Sequence, residues 1–137
     1  MELLNWSDKY SVNHNILDQQ HQQLFEIINE LYNSLTHRDS HIIIREVISK
    51  LHYYAVFHFT EEEKILHKKS IPLKSQHIQH HNDFIELVAT LQNKFDLGDW
   101  KGSLQLLSYL KRTFMNHILN DDKKYAHLFA NQHVKNI

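Results

Sequence analysis

A histidine and a carboxylate stand four residues apart in the segment His58-Phe59-Thr60-Glu61-Glu62. Residues at positions i and i+4 of a helix lie on one face, about one turn apart. Such a pair can hold one metal ion, or its carboxylate can reach a second ion. Because a single pair of this kind is more often ordinary surface or core chemistry, the rest of the chain has to decide between the two interpretations.

Two further histidines, His77 and His81, have the same spacing. Both fall on the apolar seam of their segment, where two polar rings in one layer need partners. Packing explains such a pair poorly, and imidazole is the commonest protein ligand for metals, so we favour metal binding here. His21 also falls on an apolar seam, although taken alone it is better explained as a core histidine that makes a hydrogen bond.

His117 and Asp122 are the last polar candidates, and they stand five residues apart. At about 100° per residue, five steps rotate Asp122 about 140° away from the face of His117. The two can serve one site only if the helix breaks between them, and Asn120-Asp121-Asp122 is a plausible break. We therefore expect a helix end in this segment.

The composition predicts a few long helices, because the chain of 137 residues has only two glycines and one proline. It has thirteen histidines and no cysteine, which excludes disulfides, thiolate catalysis and Cys-ligated metal sites. The net charge of −1 gives no reason to expect nucleic acid or an anionic membrane as a partner. No signal peptide and no apolar run of about 20 residues is visible, so a cytoplasmic protein is the default expectation.

Apolar residues recur with alternating steps of three and four, which predicts four amphipathic helices. We place them at about 18–37, with Asp18 as the N-cap, and at about 40–68, 73–96 and 103–119. We expect a single domain over 1–137, with an arm at about 1–16, a bundle at about 17–119 and a C-terminal segment at about 120–137 that carries a short helix. Short connections predict an all-α, up-down-up-down antiparallel four-helix bundle.

In this topology the first and third helices run parallel, and the second and fourth run opposite to them. His21 and the His77–His81 pair lie near the starts of their helices, whereas His58–Glu62 and His117–Asp122 lie late in theirs. All four groups therefore fall at one end of the bundle. The prediction is a single layer that holds five imidazoles and two carboxylates.

Seven such side chains exceed the needs of one four-coordinate zinc ion. They suit two octahedral ions that share both carboxylates and an oxo or hydroxo bridge, with one coordination position left open. Imidazole and carboxylate ligands with open coordination favour iron over magnesium or calcium. The ferritin-like di-iron proteins use Glu-x-x-His motifs, which this chain lacks, and its nitrogen-rich set is better suited to holding O2 and releasing it.

The chain resembles the hemerythrins, and among them the single-domain bacterial form. Four motifs carry the resemblance over nearly the whole chain: Asp18-Gln19-Gln20-His21 with Leu24, His58-Phe59-x-x-Glu62-Glu63, His77-x-x-x-His81-x-x-Phe84, and His117-Ile118-x-x-x-Asp122 with Tyr125. Trp6 also stands at the usual distance before the first ligand. The resemblance implies reversible O2 binding at a pair of iron ions (Fe2+/Fe3+) with an oxo or hydroxo bridge, for oxygen storage, transport or supply.

The resemblance also implies a role for each residue. One iron would take three histidines and the other two, with both carboxylates bridging: His77, His81 and His117; His21 and His58; Glu62 and Asp122. The candidates for the walls of an apolar O2 pocket are Leu24, Phe59, Phe114 and Ile118. The chain departs from many relatives in three places: many have glycine near Asn13, and Thr113 and Phe114 stand where many have tryptophan and leucine.

Three other functions stay open at this point. One is O2 or redox sensing, although the chain shows no appended output domain. Another is an enzymatic role as a di-iron oxidase, a peroxidase or a nitric-oxide-handling protein, although no general acid is evident. A third is a bundle with a structural metal. We favour binding over catalysis, with O2 as the partner, no nucleic acid, no membrane, and a monomer as the simplest expectation.

The remaining histidines are expected to face solvent or to serve structure. The same holds for Glu61 and Glu63, which the helical period turns to other faces, and His80 is expected to see solvent beside its neighbour His81. The eight histidines outside the predicted site are His14, His37, His41, His52, His67, His80, His127 and His133.

Overall fold

The computed structural model describes residues 3–135 of the chain, and the side chains of residues 3–129. Within that range the regular structure is helical. Four helices, α1 to α4, pack as the predicted up-down-up-down antiparallel bundle, and α5 follows at the C-terminus. Their bounds are α1 Asn15–Thr36, α2 His41–Lys68, α3 Ser75–Asp96, α4 Trp100–Asn116 and α5 Lys123–Lys135. Across residues 3–135, no helix has the length and apolar character that a bilayer crossing requires.

The prediction that Asp18 caps the first helix is wrong. Helix α1 begins at Asn15, and the side chain of His14 accepts a hydrogen bond from the backbone N–H of Leu17 at 3.3 Å. Asp18 therefore lies inside the first turn, where a negative charge still favours the helix because it faces the positive end of the helix dipole.

Asp18 instead fastens the N-terminal arm to the bundle. Its carboxylate accepts hydrogen bonds from the Ser11 hydroxyl at 2.7 Å and from the Val12 backbone N–H at 2.8 Å. The chain then turns through Asn13, whose φ of 61° lies in the left-handed region that asparagine tolerates better than most residues. Asn13 also donates to the backbone oxygen of Ala126 at 3.2 Å, so the arm turns without a glycine and contacts α5.

Helix α4 begins at Trp100, earlier than the predicted start near residue 103. The Asp99 carboxylate caps it by accepting from the Gly102 backbone N–H at 2.8 Å. The turn before it is carried by Gly98, whose φ is 79°. The indole of Trp100 donates to the backbone oxygen of Leu35 at 3.1 Å, a long-range contact that ties the start of α4 to the end of α1.

The buried apolar residues form a large core in the bundle and a smaller cluster beneath α5. Along α1, Leu24 belongs to the large core and Leu17 to the small cluster, with His21 between them. The same order recurs in α2, where Glu62 stands between Phe59 and Leu66. A polar layer therefore separates two apolar regions at one end of the bundle.

Candidate metal centre

All seven side chains predicted to form the site are buried and lie together in this polar layer. The exposed fraction is 8% for His77 and 7% for His117, and it does not exceed 1% for the other five. Each of the four bundle helices, or the segment that follows it, supplies at least one of them: His21, His58, Glu62, His77, His81, His117 and Asp122.

The seven residues divide into two groups that share a carboxylate. The first, which we call the three-histidine group, contains His77, His81 and His117. The second, the two-histidine group, contains His21 and His58. Ligand atoms of the three-histidine group lie within 4.8 Å of one another and of both carboxylates, and those of the two-histidine group lie equally close to Glu62.

The Glu62 carboxylate turns one oxygen toward each group. Its Oε1 lies 3.0 Å from Nε2 of His77 and 3.5 Å from Nε2 of His81. Its Oε2 lies 3.2 Å from Nε2 of His58. The two oxygens of one carboxylate therefore face different sets of imidazole nitrogens, as a bridging ligand requires.

The Asp122 carboxylate is divided in the same way. Its Oδ1 lies 2.9 Å from Nε2 of His77 and 3.2 Å from Nε2 of His117. Its Oδ2 lies 3.3 Å from Nε2 of His21. The two carboxylates thus approach the boundary between the groups from different helices and make equivalent contacts across it.

Asp122 reaches this position because the helix widens, and the predicted break is wrong. The segment His117–Asp122 is π-helical, and it joins α4 to α5 without an interruption. In a π-helix each backbone hydrogen bond spans five residues instead of four, so residues five apart come to lie over one another. His117 and Asp122 therefore share a face, which an α-helix would deny them.

Several buried polar atoms of the site make no hydrogen bond to any side chain or backbone group that the structure describes. An unsatisfied buried polar group costs about 1–3 kcal/mol, and a whole domain is stable by only about 5–15 kcal/mol. Bound cations would satisfy five of these atoms through their lone pairs, and Nδ1 of His21 would then carry the proton of its ring, so the residues fit a metal centre. The six atoms are Nδ1 and Nε2 of His21, Nε2 of His58, Oε1 and Oε2 of Glu62, and Oδ2 of Asp122.

The two groups differ in their electrostatics. Burial, together with the neighbouring His21, lowers the pKa of His58 to about 4 against the opposing effect of Glu62 and Asp122. Burial alone would also lower the pKa of His77, but its contacts with Asp122 and Glu62 outweigh this and raise the pKa to about 10. The pKa of Glu62 lies well below its ordinary value, because the surrounding imidazoles outweigh the opposing effect of burial.

Three further residues, which the predicted site did not include, contact Nδ1 of a site histidine. We call Nδ1 the outer nitrogen, because Nε2 of the same ring faces the bridging carboxylates. The Nδ1 of His58 lies 2.8 Å from Oε1 of Gln20. The Nδ1 of His81 lies 3.4 Å from Oε2 of Glu63, so the expectation that Glu63 faces elsewhere is wrong.

The third outer contact joins Nδ1 of His117 to Oδ2 of Asp121 at 2.8 Å. Such contacts orient a ligating ring and select its tautomer. The i, i+4 spacing of His117 and Asp121 was the available sequence signal for this one.

Aromatic and aliphatic side chains enclose the layer. The Phe59 ring stacks on His81, with centroids 4.1 Å apart, and the Phe114 ring meets His21 edge-on at 5.9 Å. Leu24 and Ile118 are fully buried in the adjoining core. All four predicted pocket residues are thus buried on the side of the layer that faces the large core.

Two surface grooves approach the three-histidine group. One, of about 660 Å³, runs between α3 and α4, and it is lined by His117, His80, Asp121 and Thr113 among others. The other, of about 260 Å³, lies between the starts of α3 and α5, and it is lined by His77 and Asp121. The histidines of the two-histidine group line neither of these grooves.

Several of the other histidines also make defined contacts. His14 caps α1 and packs against Phe129, and His41 stacks on Phe95 with centroids 4.3 Å apart. His80 is only partly exposed and contacts Asp121, so solvent is not its sole neighbour. The side chain of His133 lies outside the described residues.

Comparison with protein families matches residues 12–129 of the chain to the hemerythrin HHE cation binding domain. The match spans every residue of the polar layer. It also includes α1 to α4, the π-helical segment and the first part of α5.

Individual relatives agree with this match. A bacteriohemerythrin of Stenotrophomonas maltophilia is 33% identical over 140 residues, which cover 97% of this chain and 90% of the relative. A bacteriohemerythrin of Clostridium acetobutylicum is 31% identical, with 88% and 96% covered. Among solved structures, a wild-type hemerythrin is similar with a TM-score of 0.80 and 26% identity, over 91% of this chain and 96% of the other.

Proposed function

The chain belongs to the hemerythrin family, and from that premise we propose that it binds O2 reversibly at a non-haem di-iron centre, for oxygen storage, transport or supply. One observation supports this proposal above all: each of the two carboxylates, Glu62 and Asp122, turns one oxygen toward each group of imidazoles. We further propose that residues 1–137 form one hemerythrin-like domain, that its setting is cytoplasmic, and that it has no nucleic-acid partner, in keeping with its net charge of −1.

The ligand assignment follows the two groups. The three-histidine group would hold one iron and the two-histidine group the other, with Glu62 and Asp122 bridging and an oxo or hydroxo group between the ions. An ion beside His21 and His58 would have one protein nitrogen fewer than its neighbour. That difference would leave its coordination incomplete, and this is the position where O2 would bind.

When bound, the iron pair supplies the electrons and the coordination position that reversible O2 binding needs. The chain supplies the surroundings. Phe114 and His21 are in edge-on contact, and the ring centroids of Phe59 and His58 are 5.4 Å apart. With the buried Leu24 and Ile118, they would form an apolar wall that keeps water and protons from the two-histidine group. Exclusion of water prevents side reactions of a reactive ligand, so this wall favours release of O2 unchanged.

We propose binding and not catalysis because of where the open surface lies. A substrate of ordinary size needs a groove that reaches the reacting position. The groove of about 660 Å³ borders His117, whereas His21, Leu24 and Phe114 are fully buried. Open surface thus reaches the three-histidine group, whereas the two-histidine group, where the open coordination position would lie, is enclosed.

The test is a cycle of oxygenation. The reduced, iron-loaded protein is exposed to O2, its visible spectrum is recorded, and the O2 is then removed. A charge-transfer band that appears and disappears over repeated cycles is the expected result. Irreversible conversion to the oxidised protein in the first cycle, with iron retained, would contradict reversible binding and favour an enzymatic or a sensing role.

A further inference from the structure

Asp121 is a carboxylate that lies beside the candidate ligands and contacts two histidines at once. Its Oδ2 is 2.8 Å from Nδ1 of His117 and 2.6 Å from Nδ1 of His80. The side chain of Asp121 is 14% exposed and that of His80 is 39% exposed. A carboxylate so placed is held from both sides, by one ring from the site and one ring from the wall of the groove.

The π-helical segment explains how two consecutive aspartates contact the same imidazole ring. Asp121 follows His117 by four residues and meets its Nδ1, whereas Asp122 follows by five and meets its Nε2 at 3.2 Å. The ring of His117 therefore stands between two carboxylates, one on its inner nitrogen and one on its outer nitrogen. An ionised carboxylate only accepts hydrogen bonds, so Nδ1 carries the proton that points to Asp121 and Nε2 is left for a metal.

The contacts at Nδ1 of His58 and His81 are weaker than the contact between His117 and Asp121. The partner of His58 is the neutral amide oxygen of Gln20, and the contact from His81 to Glu63 is longer, at 3.4 Å. A hydrogen bond to an ionised acceptor is shorter and roughly twice as strong as a neutral one. His117 therefore has the strongest outer hydrogen bond among the histidines of the layer.

We propose that Asp121, held by His80, is a positioning residue that fixes the tautomer of His117 and makes this imidazole a stronger electron donor than the other ligands. The proposal rests on the di-iron function proposed above. Stronger donation stabilises the oxidised state of the iron bound by His117, and so lowers the reduction potential of the centre. The contact of His80 with Asp121 keeps the carboxylate aligned with the ring.

The test compares three variants of the full-length, iron-loaded protein. Asp121→Asn keeps an acceptor oxygen but removes the charge, Asp121→Ala removes both, and His80→Gln removes one of the two contacts. Asp83→Asn is the matched control, because Asp83 lines the same groove and contacts Gln79 instead of a histidine. Reduction potential, iron content and the rate of iron loss to a chelator are measured for each.

We expect Asp121→Asn to retain its iron and to show a higher reduction potential than the parent. Asp121→Ala should show the same shift together with a loss of iron affinity of roughly 10–100-fold. His80→Gln should give a smaller shift of the same sign, and Asp83→Asn should leave the potential unchanged.

An unchanged potential in Asp121→Asn, or an equal shift in Asp83→Asn, would overturn the proposal. His80, His117 and Asp121 could also hold a metal ion of their own. If the parent bound a third iron and Asp121→Ala lost it, the proposal would be overturned, because Asp121 would then be a ligand. The potential is measurable whether or not the protein releases O2 reversibly. Failure of this inference is therefore distinct from failure of the proposed function.

Discussion

The two halves of the polar layer contain the same kinds of residue but have different surroundings. In the two-histidine group, His21 and His58 have no exposed surface, and the rings around them are each other, Phe114 and Phe59. In the three-histidine group, His77 and His117 keep 8% and 7% of their surface and border the two grooves.

The pKa values follow this difference. The pKa of His58 falls to about 4 because burial dominates, whereas that of His77 rises to about 10 because contacts with both carboxylates outweigh burial. The two-histidine group is thus the dry half of the layer, where His58 gives up its proton easily. The three-histidine group is the half within reach of solvent. The two halves therefore differ in their surroundings as well as in their number of histidines.

The largest effect is expected from Glu62→Ala, which removes the carboxylate that faces both halves. Each iron would lose a ligand, and we expect the iron content to fall from about two per chain to nearly none. Metal analysis after reconstitution measures this. Glu61→Ala is the control, because Glu61 is the adjacent residue and should leave the content unchanged. Retention of both irons by Glu62→Ala would show that this carboxylate is not a bridge.

The next effect is expected from His58→Ala, which damages only the dry half. The protein should keep the iron of the three-histidine group, lose about one iron per chain and lose O2 binding. Metal analysis and the oxygenation spectrum measure the two effects separately. His52→Ala, six residues earlier in the same helix, should behave like the parent. Full iron content with intact oxygenation in His58→Ala would refute the ligand assignment.

A third effect is expected from Phe114→Ala, which opens the wall of the dry half. The iron content should stay near two per chain, while stability falls by about 3–5 kcal/mol, as is usual for a buried phenylalanine, and the oxygenated protein should oxidise faster. Phe84→Ala is the matched comparison, because Phe84 is equally buried but lines the groove of the other half. We expect Phe84→Ala to lose a similar amount of stability but to oxidise more slowly than Phe114→Ala. Equal oxidation rates in the two variants would show that Phe114 has no special role in protecting the dry half.

The smallest effect is expected from Gln20→Leu, which removes the outer acceptor of His58 without breaking a metal bond. The Nδ1–H of His58 would lose its partner at 2.8 Å, and the affinity for the iron of the dry half should fall roughly tenfold. A chelator titration that follows the first iron released gives the measurement. Gln19→Leu should change nothing, since Gln19 is exposed. An equal loss from both halves would show that Gln20 acts on the whole bundle and not through His58.

Much of the fold could be predicted, because amphipathic periodicity is a local property of the chain. The seams of α1 to α4 and the short connections were enough for the topology. The helix starts were harder, because long-range contacts decide them. Asp18 looks like an N-cap, yet the arm residues Ser11 and Val12 take its oxygens, and α4 begins early where Trp100 reaches the backbone of Leu35.

The site, like the fold, has some features that follow from local sequence and others that depend on long-range contacts. The sequence by itself determined which residues face inward and that they meet at one end of the bundle, because helical phase and chain direction follow from the order of residues. Only the tertiary structure decided that each carboxylate spans both halves, that a π-helical segment turns Asp122 onto the face of His117, and that Asp121 lies between His117 and His80. These features depend on the relative rotation of neighbouring helices and on side-chain rotamers, which packing between distant segments sets and which no local period encodes.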